Sequence, residues 1–414
     1  MLRLATYLLI AVIGQSTNQN TYEYYFDQAE KAKSKSDYAS MEANLTKAFE
    51  KGPGNEYAWR SLAWAQMNQG KWKESLASAN ENIKRNGLCT WSLKQLFASA
   101  IAAGDLQLAR KAVTEEADLP ESKRNEKMID ERRELDVLTW STTLNISWKI
   151  VVKDYELQDG ALYIQPPLSN HIWQKCKTKV EGVKDWKFVK DKRYEMLIIK
   201  PGDVKEFNIV TQITHKPRVI GYKALEKCKS WDIPESEKKY LTNFINGNKY
   251  DIHNPLIQAM VPQLKGKSAA ETVQNVLDWL GTNMRYEFDH GDSIEEMLSS
   301  HRGVCHHYAN LLTTLCRACG VPAMVCHGSA MPKSGSFKDT VPSHGWAEVY
   351  IPEFGWIPVE PLSANSLRVF SAAGYVVVDA TSRTPDDNHF EMKTDDGHHL
   401  QSIQGAPATG TAKQ

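Results

Sequence analysis

A cysteine, a histidine and a glutamate, each placed at one end of a recognisable element, are the residues in this chain whose types suit a single reaction. Cys305 lies in Gly303-Val304-Cys305-His306-His307-Tyr308-Ala309, His344 opens His344-Gly345-Trp346-Ala347-Glu348-Val349-Tyr350, and Glu360 follows Gly355-Trp356-Ile357-Pro358-Val359. Thiol attack on a carbonyl needs a base to take the proton and a third group to fix the base's tautomer, and Cys, His and Glu fill those roles. After Cys305, the residues Ala309, Leu312, Leu315 and Cys316 recur at helical spacing until Gly320 and Pro322 end the pattern. Cys305 is therefore expected at a helix N-terminus, where unpaired amides and the positive end of the helix dipole favour a thiolate.

The other two residues need a hairpin to meet. Trp346, Glu348 and Tyr350 alternate with Ala347, Val349 and Ile351, which predicts a strand; Pro352-Glu353-Phe354-Gly355 predicts a turn, and Trp356 to Val359 a second, antiparallel strand. Because Tyr350 and Trp356 flank that turn, the hairpin returns Glu360 to the His344 end. Glu348, on the His344 face by parity, is the rival acid. Upstream, Ser268-x-x-Glu271 reads as a capping box opening a helix whose stripe Val273, Val276, Leu277 and Leu280 is expected to pack beneath the Cys305 helix. A cysteine or strand histidine met singly is ordinarily structural. It is the grouping and order that point to catalysis.

These residues resemble the core of the transglutaminase-like superfamily. Gly303, Cys305, Tyr308 and Ala309, then Gly320, Val321, Pro322 and Ala323, then His344, Trp346, Glu348 and Val349, then Gly355, Trp356, Glu360 and Pro361 follow its pattern in order. The resemblance implies a papain-like α+β core with Cys305 as nucleophile, His344 as base and Glu360 as orienting acid, since the counterpart of Glu348 is usually structural. It implies amide chemistry on a protein or peptide substrate, with the acyl group passed to water or to an amine. Hydrolysis is favoured, because water is abundant and no amine-binding pattern is legible. This chain departs from the family at Glu360, where Asp is usual, and at His307, where an acid is frequent. A catalytically silent copy of the fold, acting as a protein-binding adaptor, is the alternative.

No cofactor and no metal are expected. Cys316-x-x-Cys319 lacks a second matching pair and falls within an apolar helical pattern, unlike the knuckle pairs or His-x3-His helix of structural zinc. His306 and His307 are expected at the entrance of the Cys305 site. The 50 basic and 50 acidic residues balance, so no bulk charge points to nucleic acid or an anionic membrane. Arg3, the apolar run Leu4 to Ile13 and Val12-Ile13-Gly14 read as an export signal over residues 1–20, too short to span a bilayer, so the mature protein is expected to be secreted or periplasmic and free of the membrane after cleavage, with an uncleaved anchor as the alternative. Seven cysteines, an odd and scattered set, fit one free thiol rather than a disulfide scaffold.

The chain as a whole reads as multidomain α+β. Over 21–120, Ser36-Asp37-Tyr38, Gly70-Lys71-Trp72 and Gly104-Asp105-Leu106 recur every 34 residues, and Trp59, Leu62 and Ala63 return as Leu93, Leu96 and Phe97. This resembles tetratricopeptide repeats, which implies a stack of helix pairs and a groove for a protein or peptide ligand; a helical cap on the enzyme is the equal alternative. A charged helical connector is expected over 121–136. From 137 to 225, alternation at Trp148, Ile150, Val152, at Leu162, Ile164, at Met196, Ile198 and at Phe207, Ile209, Thr211, Ile213 predicts a small antiparallel β-sandwich, with Lys175, Lys177 and Lys179 on a solvated face. The catalytic core is placed at 240–402 and a flexible tail at 403–414.

Overall fold

The computed structural model describes residues 20–124, 127–139, 141–153, 160–190, 195–216, 218–243, 250–288, 293–330, 336–340, 343–364, 366–370, 375–379, 401–402 and 407–413. All but the last residue of the expected export signal lies outside them. No helix among the described residues is long and apolar enough to cross a membrane. The chain divides between Arg133 and Glu134 into two compact units.

The first unit contains helices α1 (Tyr22–Lys33), α2 (Tyr38–Lys51), α3 (Glu56–Asn68), α4 (Trp72–Asn86), α5 (Thr90–Ala103) and α6 (Leu106–Ala117). Its 34-residue recurrence marks the turns joining paired helices. Ser36, Gly70 and Gly104 take left-handed backbone, with φ of 55°, 73° and 72°, and the next residue caps α2, α4 or α6. Asp37 and Asp105 accept from the Ser40 and Leu108 amides at 3.0 and 3.1 Å, each cap contributing about 1 kcal/mol. Lys71 makes no such bond. Leu62, Ala63, Leu93, Leu96 and Phe97 of the recurrence are buried on α3 and α5, while Trp59 is half-buried. The charged segment after residue 120 is only partly helical, a 3-10 turn at Glu121–Lys123 preceding α7 (Ile129–Thr139).

The second unit begins with strands β1 (Thr142–Val151), β2 (Leu162–Gln165), β3 (Gln174–Glu181), β4 (Trp186–Lys190), β5 (Glu195–Ile199), β6 (Glu206–His215) and β7 (Arg218–Val219). Helices α8 (Tyr222–Leu225), α9 (Glu235–Lys238), α10 (Pro255–Leu264) and α11 (Ala269–Asn283), strand β8 (Arg285–Tyr286), α12 (Ile294–Ser300), β9 (Arg302–Gly303) and α13 (Cys305–Ala318) follow. The remaining strands are β10 (Ala323–Ala330), β11 (Ser336–Thr340), β12 (Ser343–Ile351), β13 (Gly355–Val359), β14 (Val369–Phe370), β15 (Tyr375–Asp379), β16 (Gln401–Ser402) and β17 (Pro407–Lys413).

Two sheets, β11-β17-β1-β6-β3 and β16-β2-β5-β4, share a core of Leu144, Ile146, Trp148, Ile164, Leu197, Ile199, Phe207, Ile209 and Ile213. The alternation of β1 and β6 is as expected. In β5 the residues of this core are Leu197 and Ile199 rather than Met196 and Ile198, because Met196 is also buried, at 4%, and the strand has no clear polar phase. The sandwich also draws β11, β16 and β17 from beyond residue 225, so the domains are not consecutive stretches of chain. Pro407–Lys413, expected as a flexible tail, pairs with β1 from Thr143↔Lys413 to Trp148↔Ala408 and with β11 on its other side. Backbone hydrogen bonds on both edges hold a strand there without an apolar side-chain pattern.

The third large sheet, β13-β12-β10-β15, carries the helical layer on one face. Val325, Ala347, Val349 and Ile351 meet Ala309, Leu312, Leu315 and Cys316 of α13 and Val273, Val276, Leu277 and Leu280 of α11 in one core. The predicted apolar stripes of both helices are thus the buried ones; of the expected capping box, Ser268 accepts from the Glu271 amide at 3.2 Å, while the Glu271 carboxylate takes the Lys267 amide at 2.7 Å. The other face holds Met324, Cys326 and Trp346 against Trp173 and Phe370.

Candidate active site

Cys305 occupies the first position of α13, and a glycine lies on each side of that helix start. A Cβ on Gly303 would lie 2.8 Å from His307 Cβ, and one on Gly345 would lie 3.2 Å from His306 Cα. Bare backbone at Gly345 lets the first turn of the helix close onto the beginning of β12, and at Gly303 it leaves room for the His307 side chain. His307 does not line the entrance as expected. It is buried at 1%, and its Nδ1 accepts from the Val304 amide at 3.3 Å, so the position where relatives often carry an acid serves here as a cap. His306 is exposed and bonds the thiol.

The hairpin forms in the expected register, Tyr350↔Trp356 flanking the turn and Ala347↔Val359 near its open end. Glu360 consequently reaches His344, Oε2 lying 2.7 Å from Nε2. A carboxylate there requires Nε2 to carry the proton, which leaves Nδ1 to face Cys305. The acid is held at both oxygens: Tyr375 Oη donates to Oε2 at 2.8 Å and the Leu362 amide to Oε1 at 3.1 Å.

Burial raises the Cys305 pKa, but hydrogen bonds from His306, His344 and the Gly345 amide, with the charge of His344, outweigh it and bring the thiol down to about 5. Burial pulls His344 the opposite way, toward neutrality; its bonds to Cys305 and Glu360 and their negative charges overcome that and lift it to about 9. Thiolate and imidazolium therefore coexist at neutral pH.

Glu348 points elsewhere. It is fully buried, taking His171 Nε2 at 2.6 Å and Trp173 Nε1 at 2.9 Å on a single oxygen, and so ties the loop before β3 to the third sheet. Cys316, Cys319 and Cys326 are buried in apolar surroundings, and desolvation raises the thiol pKa of Cys316 and of Cys319, the latter to about 11. No disulfide forms among the described residues. His171, Cys326 and Glu348 do converge, their ligating atoms within 4.8 Å of one another, a grouping the sequence did not suggest because His171 lies far upstream. Sequence reading also passed over Tyr286, which exchanges hydrogen bonds with the backbone and side chain of Cys305, and Tyr375. Neither carries a local pattern that marks it.

Residues 258–361 match the Transglut_core family model, which describes the transglutaminase-like superfamily. Among solved structures the chain is similar to a proposed cysteine protease from Cytophaga hutchinsonii, at 14% identity and a TM-score of 0.42, over 66% of this chain and 97% of that one. No curated protein matches. A helical repeat region, β-sheets and a mixed helix–sheet core make this a multidomain α+β protein, and within that core residues 258–361 carry the transglutaminase-like match.

Proposed function

We propose that the protein is an exported thiol enzyme that cleaves amide bonds of proteins or peptides through Cys305, His344 and Glu360. The observation that carries the proposal is the continuous chain of bonds from Cys305 at the head of α13, through His344, to Glu360 at 2.7 Å. The Cys305 thiolate attacks the amide carbonyl carbon, forming the C–S bond and placing the carbonyl electron pair on oxygen. The Cys305 amide donates to that oxyanion; it now meets the phenol oxygen of Tyr286, whose place the substrate oxygen takes. Collapse expels the amine, which takes its proton from the His344 imidazolium, and leaves a thioester. Water then attacks as His344 accepts its proton, releasing the acid and regenerating the ion pair. An amine in place of water would give a crosslink by the same steps.

Hydrolysis is preferred on the abundance of water. The helical repeats are assigned a protein- or peptide-docking role, which their resemblance to tetratricopeptide repeats implies. The test is labelling of the purified protein with iodoacetamide across a pH series, with mass-spectrometric mapping, followed by incubation with a peptide library with and without a primary amine. Selective labelling of Cys305 near pH 6 and amine-independent cleavage support the proposal. Labelling of Cys305 no faster than of Cys89 would refute it, and amine incorporation without cleavage would make the enzyme a transferase.

A further inference from the structure

Glu360 differs from the shorter acid usual in this family by one methylene, which adds a rotatable bond between the backbone and the carboxylate. An unrestrained glutamate at the end of a strand would spread over several rotamers, and few of them present Oε2 to His344. Here both oxygens are held, one by the neighbouring Leu362 amide and the other by a residue from a different strand. That strand, β15, sits on the far side of β10 from β12. Its approach depends on Gly328, where any Cβ would collide with the Val376 carbonyl, and the β10–β15 register shifts at the same point. Beside that irregularity, Tyr375 opposite Ala330 turns its ring against His344 at 5.8 Å, Trp346 at 5.1 Å and Phe370 at 4.6 Å.

We infer that Tyr375 is a positioning residue for the thiol chemistry: its hydroxyl, donated to the oxygen of Glu360 that also receives His344, locks the longer acid in the one rotamer that orients the imidazole. The inference rests on the triad reading above. The phenol stays protonated and so remains a donor, because burial and the charge of Glu360 both raise its pKa. The titratable groups surrounding Glu360 are His344 on β12, Cys305 and His306 on α13, Tyr286 on β8 and Tyr375 itself.

The experiment is the pH dependence of iodoacetamide labelling of Cys305 in wild type, Tyr375→Phe, Glu360→Gln and the double variant, with near-UV circular dichroism as the check of folding. Tyr375→Phe is expected to raise the apparent thiol pKa by about one unit, a tenfold loss of reactivity below that pKa. In the Glu360→Gln background the same change should alter the rate less than twofold, since the hydroxyl acts only through the carboxylate. 4-Aminophenylalanine at 375, which restores a donor, should recover most of the wild-type profile. If Phe leaves the protein unfolded, 4-fluorophenylalanine fills the hydroxyl's volume without donating and takes its place. An unchanged or lower thiol pKa in the folded variant, or an equal effect in both backgrounds, overturns the inference. A wild-type thiol without low-pH reactivity would instead overturn the triad reading itself.

Discussion

Among the described residues, two Cys-His-Glu groupings each take one member from the same strand, β12, and only one has the features of a reactive centre. Cys305, His344 and Glu360 gather at the start of β12; Cys326, His171 and Glu348 gather farther along it. The histidine–carboxylate distances are nearly the same, 2.7 and 2.6 Å. What differs is the sulfur and its surroundings. Cys305 begins a helix, is partly exposed, and receives bonds from His344, His306 and the Gly345 amide. Cys326 lies in mid-strand at 0% exposure among Met324, Trp346 and Trp173. A histidine–carboxylate pair fixes a ring; it becomes reactive machinery only where a thiol meets it with amide donors and an open side.

The sharpest way to break this comparison is to exchange the roles of the two sulfurs. Cys305→Ala is expected to abolish acyl-enzyme formation, a loss of about 10³-fold or more in turnover. Cys326→Ala should leave turnover per folded molecule within about twofold and lower the midpoint of thermal unfolding, since it removes buried volume but no group that touches the reacting atoms. Active-site titration with a thiol-trapping substrate measures the first and calorimetry the second. Equal losses of turnover would dissolve the distinction.

The two acids provide the next separation. Glu360→Gln keeps the shape but removes the charge that supports the imidazolium, and turnover should fall by about 10²- to 10⁴-fold with little change in stability. Glu348→Gln should do the reverse. Its oxygen receives both His171 and Trp173 in a buried site, so impairing that arrangement should destabilise the fold by about 1–3 kcal/mol while sparing the chemistry. Chemical denaturation and kcat, read on the same preparations, decide it. Lost low-pH thiol reactivity in folded Glu348→Gln, with Glu360→Gln unaffected, would reverse the assignment.

The pH profile sharpens the contrast further. Below about 5 the Cys305 thiolate takes up a proton, and above about 9 His344 loses its own, so the ion pair exists between these limits. Iodoacetamide labelling of Cys305 should rise through the lower limit and then level off, while turnover, which also needs the imidazolium proton for the leaving amine, should fall again above the upper one. Labelling that only begins to rise near the ordinary thiol pKa of about 8.5 would show that Cys305 lacks the pairing.

That Cys305, His344 and Glu360 come together was legible in the sequence because each has a local signal. A helix start places Cys305, and a hairpin of known register places Glu360 opposite His344. The buried grouping was not, since His171 reaches Glu348 across 177 residues and nothing near either residue announces the other. Tyr375 escaped for the same reason, although only 15 residues separate it from Glu360, because it arrives on a separate strand. Alternation read correctly on β1 and β6, where one face is buried, and failed on β5, where Met196 and Leu197 are both inside. His307 shows the remaining gap. A side chain expected at a rim turns inward to satisfy the Val304 amide, a demand of helix ends that residue type alone does not reveal.

The smallest expected effect tests how strictly the reactive grouping is tied down. Glu360→Asp preserves the charge and restores the acid usual among relatives, so the thiolate should still form and turnover should remain well above that of Glu360→Gln. The shorter side chain cannot hold all three of its present partners, the His344 Nε2, the Tyr375 hydroxyl and the Leu362 amide, without moving the backbone beyond Val359. Losing one such bond predicts a decrease of about tenfold in kcat with KM unchanged. A loss as large as that of Glu360→Gln would mean that the position of the carboxylate, more than its charge, sustains the pair. No loss at all would mean that the shorter acid reaches His344 with the neighbouring donors dispensable, leaving Glu360 a length the site tolerates rather than one it uses.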